Sequence, residues 1–268
     1  MKNKVVIVTG ASSGIGRATA LYFAKKGSNV VLAARSAGKL NTVEEEISKL
    51  GGSCLCVPCD VSIPADCENL IAKTIETFQQ IDVLINNAGI SMRAIFNETD
   101  LNVIREVMEI NFFGMVNCTK YALPYILKNK GSVVGVSSIA GYVGLPARTG
   151  YSASKYAMHG FLDALRIENI EKGLHVLVAC PGFTASNIRT SALTADGTAQ
   201  GESPRSEAKM MQPEEVAEDI YKSIVSRDQS LVLTGEGKLA VFLSKWAPKV
   251  LQRVVFREMK KEPDSPLK

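Results

Sequence analysis

The sequence predicts an α/β fold: one domain built on a doubly wound, seven-stranded parallel sheet with helices on both faces. Seven short β-branched runs alternate with six longer amphipathic stretches, which is the order of strands and helices in such sheets. The strand-like runs are apolar almost without interruption, as expected for strands that are buried on both faces. These runs are Val5–Thr9, Asn29–Ala34, Ser53–Pro58, Asp82–Asn86, Ser132–Ser137, His175–Cys180 and Ser230–Thr234. The helix-like stretches are 14–26, 36–50, 63–79, 98–128, 150–172 and 213–227.

Two stretches depart from this alternation. Residues 183–212 are rich in Ser, Thr, Ala and Gly and show little hydrophobic periodicity. Because a loop of that length in a compact domain is usually functional, we predict a mobile loop there. Residues 236–261 follow the seventh strand and form a basic segment with the apolar spacing of an amphipathic helix. We therefore expect a globular domain at 1–235, a helical extension at 236–261 and a short tail at 262–268.

The composition is that of a folded protein that is not exported. Hydrophobic residues make up 46% of the chain and charged residues 22%, which excludes disorder of the bulk. No apolar run exceeds five residues, and the first residues do not resemble a signal peptide. We therefore expect a cytoplasmic protein without a membrane-spanning helix. The net charge of +4 lies entirely in residues 236–268, which carry eight basic and four acidic residues.

Six cysteines in such a chain indicate reduced thiols. Three of them fall in the run Cys54-Leu55-Cys56-Val57-Pro58-Cys59, which raises the alternative of a metal site. No second cysteine pair follows, and the two histidines are far away in sequence. We interpret the run as a strand in which Cys54 and Cys56 are small apolar residues on one face, and we predict no metal.

A glycine-rich turn joins the first predicted strand to the first helix. Residues 9–16 read Thr-Gly-Ala-Ser-Ser-Gly-Ile-Gly, so the glycines have the spacing Gly-x-x-x-Gly-x-Gly. Such glycines let backbone N–H groups approach a pyrophosphate, and the following helix N-terminus favours the anion. The alternative is a turn that is glycine-rich for steric reasons alone. We favour a Rossmann-type nucleotide site, with the candidate contacts Gly10, Ser12, Ser13, Gly14, Ile15 and Gly16.

The end of the second strand indicates which dinucleotide binds. An acidic residue at this place binds the adenosine ribose hydroxyls, whereas an arginine accommodates a 2′-phosphate. This sequence has Ala34 followed by Arg35, with Ser36 as a further hydroxyl donor. The alternative is a solvated arginine at the start of a helix. The sequence therefore favours NADP(H) over NAD(H).

Further polar residues follow the third and fourth strands, at the edge of the sheet where ligands bind. Asp60 and Val61 follow the third strand, and Asn86-Asn87-Ala88-Gly89 ends the fourth. The alternative for both is ordinary turn chemistry.

Four residues are candidates for catalysis. Tyr151 and Lys155 are four residues apart at the start of a helix, so they share one face. A neighbouring lysine charge favours the phenolate, so we expect it to lower the pKa of Tyr151. Ser138 follows the fifth strand, and Asn111 lies in the helix after the fourth. Taken singly, each of these four favours a structural role over a catalytic one.

Together, these elements resemble the short-chain dehydrogenase/reductase family over residues 3–235. The matching elements, in order, are Thr9–Gly16, Asp60, Asn86–Gly89, Asn111, Ser138, Tyr151, Lys155 and Pro181-Gly182. The resemblance implies a catalytic tetrad of Asn111, Ser138, Tyr151 and Lys155. It implies cofactor contacts from Gly10, Ser12, Ile15, Arg35, Asp60, Val61, Asn87, Tyr151, Lys155 and Thr184, and we add Ala88, Gly89, Pro181 and Gly182 beside them.

The sequence departs from the family pattern at two positions. Ser13 stands where many NADP-dependent members have a basic residue, and Ser186 stands at a position where the family has threonine. Within the family, the chain resembles the branch of 11β-hydroxysteroid dehydrogenase and the membrane-anchored dehydrogenase/reductase proteins.

The resemblance implies a reversible carbonyl/alcohol oxidoreduction with NADP(H). Tyr151 would act as general acid or base, Ser138 would hydrogen-bond the substrate oxygen, and Lys155 would hold the nicotinamide ribose. Asn111 would anchor a water in a proton relay to Lys155. The alternative function is a catalytically idle NADP-binding sensor. Family members pair through the helices predicted here at 98–128 and 150–172, which implies a homodimer or homotetramer.

The segments expected around the substrate are largely apolar. They are Ile90–Phe96, Ile139–Gly150 and Phe183–Met211, with Arg93, Arg148 and Arg189 as fixed positive charges. A small apolar ketone or alcohol is therefore the favoured substrate. We expect no nucleic acid partner.

The extension 236–261 leaves two alternatives open. Lys245, Lys249, Arg253 and Arg257 recur every four residues, beside apolar residues that include Phe242 and Trp246. The helix packs on its own domain or on a partner subunit, or it makes a peripheral contact with an anionic membrane. Pro248 is expected to kink or restart it.

Overall fold

A computed structural model, which describes residues 1–203, 210–262 and 264–268, confirms the predicted α/β fold. Seven strands form one parallel sheet in the order β3-β2-β1-β4-β5-β6-β7. The strands are β1 Val5–Thr9, β2 Asn29–Ala34, β3 Ser53–Pro58, β4 Val83–Asn86, β5 Ser132–Val136, β6 His175–Cys180 and β7 Ser230–Val232. The order reverses between β1 and β4, so the crevice in which such sheets bind ligands opens at their carboxyl ends.

Helices cover both faces of the sheet. They are α1 Gly14–Lys25, α2 Ala37–Lys49, α3 Pro64–Phe78, α4 Leu101–Met108, α5 Gly114–Lys128, α6 Thr149–Glu168, α7 Pro213–Ser226, α8 Gly235–Trp246 and α9 Pro248–Lys260. Alternate residues of β1 belong to opposite core layers: Ile7 packs with Met115 and Leu162, and Val6 packs in the layer of Phe23. This burial on both faces is why the strands read as unbroken apolar runs.

The cysteine run is part of the sheet, as predicted. Cys54 and Cys56 lie in β3 and pack against the core layer of α1 and α2. Burial and the nearby Glu44 carboxylate raise the pKa of Cys54 to about 11 and that of Cys56 to about 12, so both thiols are protonated at neutral pH.

The prediction of one helix over 98–128 is wrong. A turn of 3-10 helix covers Phe96–Glu98, and a π-helical turn at Glu109–Phe113 separates α4 from α5. In the π turn the N–H of Gly114 donates to the carbonyl of Glu109, five residues back. A Cβ on Gly114 would lie 2.6 Å from a methyl carbon of Val61, so only glycine permits this approach of helix and sheet edge.

The C-terminal extension is two helices rather than one. α8 ends at Trp246 and α9 begins at Pro248, as the proline predicted. Leu251 and Met259 on α9 are buried, so one face of the extension packs on the chain's own domain. None of the helices in the described part of the chain is long and apolar enough to cross a membrane.

The loop predicted at 183–212 is described except for residues 204–209. It carries isolated bridges that pair Met92 with Leu193 and Thr184 with Met211. Its mobility stays a prediction.

Candidate active site

The turn after β1 is built for a close approach of backbone. Gly10 has a φ of +65°, and a Cβ there would lie 2.9 Å from the Cα of Ala88. The Thr9 hydroxyl accepts hydrogen bonds of 3.0 Å from the N–H groups of Asn87 and Ala88. The Asn87 amide in turn donates to the Thr9 carbonyl at 2.9 Å. These bonds lock the end of β4 against the glycine turn.

Gly16 has a steric function that differs from that of the other glycines. A Cβ on Gly16 would lie 2.2 Å from the Gly10 carbonyl oxygen and 2.4 Å from the Asn87 amide nitrogen. Gly16 does not line the cavity. Its role is to let the first turn of α1 pack directly against the glycine turn.

A cavity of about 470 Å³ runs from this turn along the ends of β2 and β3. Eleven of the twelve cofactor candidates that precede Asn111 in the chain line it; the exception is Gly16. They are Gly10, Ser12, Ser13, Gly14, Ile15, Arg35, Asp60, Val61, Asn87, Ala88 and Gly89. The side chain of Arg35 is exposed at the end of β2, and Lys39, in the first turn of α2, lines the same cavity.

Lys39 is not among the cofactor contacts predicted from the sequence. It lies four residues after Arg35, a spacing that places two cations at the start of one helix. That spacing was a usable signal.

Asp60 is held by its own loop. Its N–H donates to the Asp66 carboxylate at 2.9 Å, while its carboxylate accepts from the Ser62 hydroxyl at 2.7 Å and the Ser62 N–H at 3.0 Å. The carboxylate therefore has a fixed orientation at the edge of the cavity.

A second cavity, of about 150 Å³, contains three of the four catalytic candidates: Ser138, Tyr151 and Lys155. Pro181, Gly182 and Thr184 line it too. The two cavities share Ile15, Asn87, Gly89, Ser186 and Ile188 in their walls, so they are adjacent parts of one crevice. The crevice leads from the glycine turn to Tyr151.

Burial dominates the electrostatics of the catalytic cavity. It raises the pKa of the Tyr151 phenol, and the hydrogen bond with Ser138 and the charge of Arg148 oppose this rise. Burial also lowers the pKa of Lys155 to about 8. The Lys155 ammonium donates to the Val136 carbonyl at 2.9 Å and lies 5.7 Å from the centre of the Tyr151 ring.

The expected depression of the Tyr151 pKa by Lys155 therefore does not appear. The Tyr151 pKa is raised, and the charged groups that oppose the rise are led by Arg148 rather than Lys155. Helical spacing placed the two side chains on one face but could not show that burial outweighs their interaction.

Asn111 lies outside both cavities. Its side-chain amide is buried and committed: the oxygen accepts from the Ile90 N–H at 2.8 Å, and the nitrogen donates to the Ile90 carbonyl at 2.9 Å. The same nitrogen lies 2.9 Å from the Ser154 hydroxyl. The Asn111 side chain thus fastens the π turn to the loop after β4 and to α6.

A third cavity, of about 410 Å³, opens between the catalytic residues and the C-terminal extension. Ser138, Leu145, Pro181, Gly182 and Phe183 line both it and the catalytic cavity. Its outer wall is mainly apolar and comes from α8 and α9. That wall includes Leu239, Ala240, Leu243, Leu251, Val254, Val255 and Met259.

Comparison with known proteins identifies the family. The family model described as short chain dehydrogenase matches residues 4–196, well over half of the chain. The chain belongs to the short-chain dehydrogenase family.

Relatives match nearly the whole chain. Dehydrogenase/reductase SDR family member 7B of Mus musculus is 36% identical over 98% of this chain and 83% of the relative. The protein of the same name from Xenopus laevis is 37% identical over 96% of this chain and 82% of the relative. A solved alcohol dehydrogenase of the archaeon Thermococcus sibiricus, complexed with 5-hydroxy-NADP, has a TM-score of 0.75 at 25% identity, over 86% of this chain and 94% of that chain.

These findings confirm the predicted class: the protein is an oxidoreductase of CH–OH groups that uses a nicotinamide cofactor. The residues present fit such a group. The 470 Å³ cavity begins at a turn where Gly10 leaves no room for a side chain, and Arg35 and Lys39 supply positive charge farther along it.

Proposed function

We propose that this enzyme interconverts a carbonyl and a secondary alcohol on a small apolar molecule, with NADP(H) as the cofactor. One observation carries the proposal: Tyr151 and Ser138 line the catalytic cavity, which shares wall residues with the 470 Å³ cavity on one side and with the 410 Å³ cavity on the other. A dinucleotide in the 470 Å³ cavity and an apolar substrate in the 410 Å³ cavity would meet at these two hydroxyl groups.

The bound cofactor supplies or accepts the hydride. Tyr151 gives a proton to the carbonyl oxygen in the reduction direction and takes it back in the oxidation direction. Because burial raises its pKa, the phenol is protonated at neutral pH and is ready to act as an acid. Ser138 donates a hydrogen bond to the same oxygen, which stabilises the charge that develops in the transition state.

Lys155 and Asn111 have supporting roles in this proposal. The Lys155 ammonium is fixed on the Val136 carbonyl, from where it would hold the ribose next to the nicotinamide. The side chain of Asn111 is fully engaged with Ile90 and Ser154, so we assign its contact with a relay water to the main chain of the π turn.

The preference for NADP(H) is supported by charge. Strand β2 ends without an acidic residue, and Arg35 and Lys39 line the adjacent end of the cavity. A 2′-phosphate there would gain charge-assisted hydrogen bonds that a ribose hydroxyl does not make.

The decisive experiment replaces the Tyr151 hydroxyl. Wild-type protein is screened for NADPH oxidation against a panel of ketones, and Tyr151→Phe is then assayed with the best one. We expect kcat to fall by 10²- to 10⁴-fold because a positioned proton donor is lost. NADPH affinity should stay within about twofold, since the phenol is not needed to hold the adenosine half.

Tyr156→Phe is the matched control. Tyr156 lies on the same helix with its ring exposed, so this variant should keep wild-type kcat. A Tyr151→Phe enzyme with more than a tenth of wild-type kcat would refute the assignment. NADPH binding without turnover of any carbonyl would favour the idle sensor.

We further propose a cytoplasmic homo-oligomer that pairs through α5 and α6. The exposed Phe113, at the N-terminal end of α5, and the exposed Ile167 on α6 support this, because paired helices would cover them. Light scattering at micromolar concentration should give at least a dimer, and a monomer would reject the proposal.

A peripheral membrane contact is the second proposal for partners. Trp246 is 76% exposed and Phe242 58%, and the exposed cations Lys245 and Lys249 flank them. Vesicles with anionic lipid should sediment the protein at low salt, and a charge reversal at Lys245 and Lys249 should abolish this. Failure to sediment would limit the extension to packing on its own domain.

A further inference from the structure

The C-terminal end of the chain returns to the catalytic face and buries a carboxylate there. The Glu262 side chain is 4% exposed. Its Oε2 lies 3.4 Å from the Arg148 guanidinium, which donates a hydrogen bond to it, and 3.7 Å from the Arg93 guanidinium. The two arginine side chains are themselves 12% and 9% exposed. We call these three residues the Glu262 clamp.

One arginine of the Glu262 clamp lines the active site, and the other is joined to the same region. Arg148 lines the catalytic cavity and lies immediately before α6, three residues from Tyr151. Arg93 is joined to the same region, because the N–H of Ala94 donates to the Ala147 carbonyl at 3.0 Å. The clamp therefore connects the end of the chain to a framework that also positions the catalytic tyrosine.

The carboxylate also fixes α9. Met259, three residues before Glu262, is buried, with its sulfur 3.9 Å from the Arg148 guanidinium. The Ser265 hydroxyl donates to the Met259 carbonyl at 2.8 Å, and the Ser265 N–H donates to the Glu262 carbonyl at 3.2 Å, so Ser265 is tied back to the end of α9. Leu251, Val255 and Met259 of this helix line the 410 Å³ cavity.

A buried carboxylate between arginines constrains position far more than a surface pair does. The Lys261–Glu258 pair next to it is shorter, at 2.6 Å, but both side chains are more than half exposed. Such exposed pairs contribute little. A buried charge that loses its partner is strongly destabilising, so the arginines and Glu262 hold each other in place.

We propose that Glu262 is a positioning residue for substrate selectivity: clamped by Arg93 and Arg148, it holds α9 in place as an outer wall of the 410 Å³ cavity, and the apolar cavity so completed binds the hydrocarbon part of the substrate. The inference rests on the proposed function. The 150 Å³ catalytic cavity has room for little beyond the carbonyl and its neighbours, whereas the 410 Å³ cavity extends from Ser138 along α8 and α9.

The test measures kcat/KM for a series of unbranched methyl ketones, from 2-butanone to 2-dodecanone, with saturating NADPH. In the wild-type enzyme, each further methylene of the ketone should raise kcat/KM about fourfold, until the alkyl chain is longer than the cavity. Glu262→Gln should flatten this dependence and lower kcat/KM for the longest ketone at least tenfold, chiefly through KM. Tryptic cleavage after Lys260 and Lys261 should become faster in the same variant.

Asp264→Asn is the matched control, because it removes an exposed carboxylate two residues away. It should retain the wild-type dependence on chain length and the wild-type cleavage rate. Val255→Trp leaves the Glu262 clamp intact and fills the 410 Å³ cavity from α9, so the longest ketone accepted should be shorter. This variant tests the apolar subsite if Glu262→Gln does not fold.

The outcomes separate the two proposals. A wild-type enzyme that reduces 2-butanone without any gain from longer chains overturns the inference alone. The inference is also overturned if folded Glu262→Gln, or Val255→Trp, keeps the wild-type dependence of kcat/KM on ketone length. A wild-type enzyme that binds NADPH but reduces no ketone of the series, or any other carbonyl of the panel, overturns the proposed function, and this inference falls with it.

Discussion

Gly16→Ala tests how closely helix α1 must approach the glycine turn. The added Cβ would lie 2.2 Å from the Gly10 carbonyl oxygen and 2.4 Å from the Asn87 amide nitrogen. Neither neighbour is free to retreat, since Gly10 is at the end of β1 and the Asn87 amide is bonded to the Thr9 carbonyl. Ordinary contact needs about 1 Å more, so the start of α1 must move and the nucleotide cradle must open.

Overpacking of this kind costs about 1–3 kcal/mol, and more where the neighbours are backbone. We expect the free energy of unfolding to fall by at least about 2 kcal/mol, which lowers Tm by roughly 4–8 °C in a chain of this size. NADPH affinity should fall at least tenfold. Calorimetry and cofactor fluorescence measure the two effects.

Gly160→Ala is the control, because Gly160 also lies inside a helix but a Cβ there would meet no atom within 4 Å. It should stabilise the protein by about 0.5–1 kcal/mol through helix propensity alone. A Gly16→Ala protein with wild-type Tm and wild-type NADPH affinity would refute the steric reasoning.

Two further predictions concern charge. Arg35→Ala should weaken NADPH binding by about 1.5–3 kcal/mol, roughly 10- to 150-fold in Kd, and leave NADH binding nearly unchanged; equal wild-type affinity for both cofactors would contradict the proposed preference. His159 is bonded to the Ser137 hydroxyl at 2.7 Å, and burial lowers its pKa to about 4. The unfolded chain therefore binds a proton below about pH 6.5 that the folded chain refuses until about pH 4, so stability must fall as the pH drops through this window, by about 1–3 kcal/mol after allowance for partial exposure. The loss should be smaller by that amount in His159→Asn, and identical pH profiles by chemical denaturation would exclude it.

The strands could be predicted because their chemistry is local. β1, β2 and β6 have the predicted bounds because they are short apolar runs buried on both faces, and the half-buried edge strand β3 has its predicted bounds as well. β4 starts one residue later than predicted, at Val83, although the Asp82 N–H still donates to the Val5 carbonyl at 3.0 Å. The Asp82 carboxylate accepts from the Val5 N–H at 2.9 Å and pairs with Lys4 at 2.8 Å. The sequence pattern does not distinguish a residue just before a strand, such as Asp82, from a residue inside the strand.

The π turn could not be predicted from the sequence. A π turn adds one residue to a helix, and this hardly changes the spacing of apolar residues in the sequence. The contacts that hold the turn are made with residues that are distant in the chain. The Asn111 amide matches the two main-chain groups of Ile90, and Gly114 approaches Val61. Only the folded chain brings these partners together.

The same reasoning explains why the site was predicted in part. The glycine turn and Ser138 follow strand ends, and a parallel sheet brings all its carboxyl ends to one edge, so their proximity follows from the topology. Tyr151 and Lys155 lie in the first turns of α6, and their spacing places them on one face of that helix. No such rule predicts that Glu262 lies near Arg148, because 114 residues separate the two and no periodicity connects them.

The residues proposed for the chemistry and those proposed for substrate selectivity lie on different parts of the chain. Of the groups proposed for the chemistry, Ser138 follows β5 and Tyr151 lies on α6, and a change there alters every substrate alike. The proposed apolar subsite has its outer wall on α8 and α9, which follow the last strand and contact the core through one buried face and the Glu262 clamp. The proposal therefore predicts that substitutions in that wall change which carbonyl is accepted without moving Tyr151, so that the C-terminal helices set the selectivity.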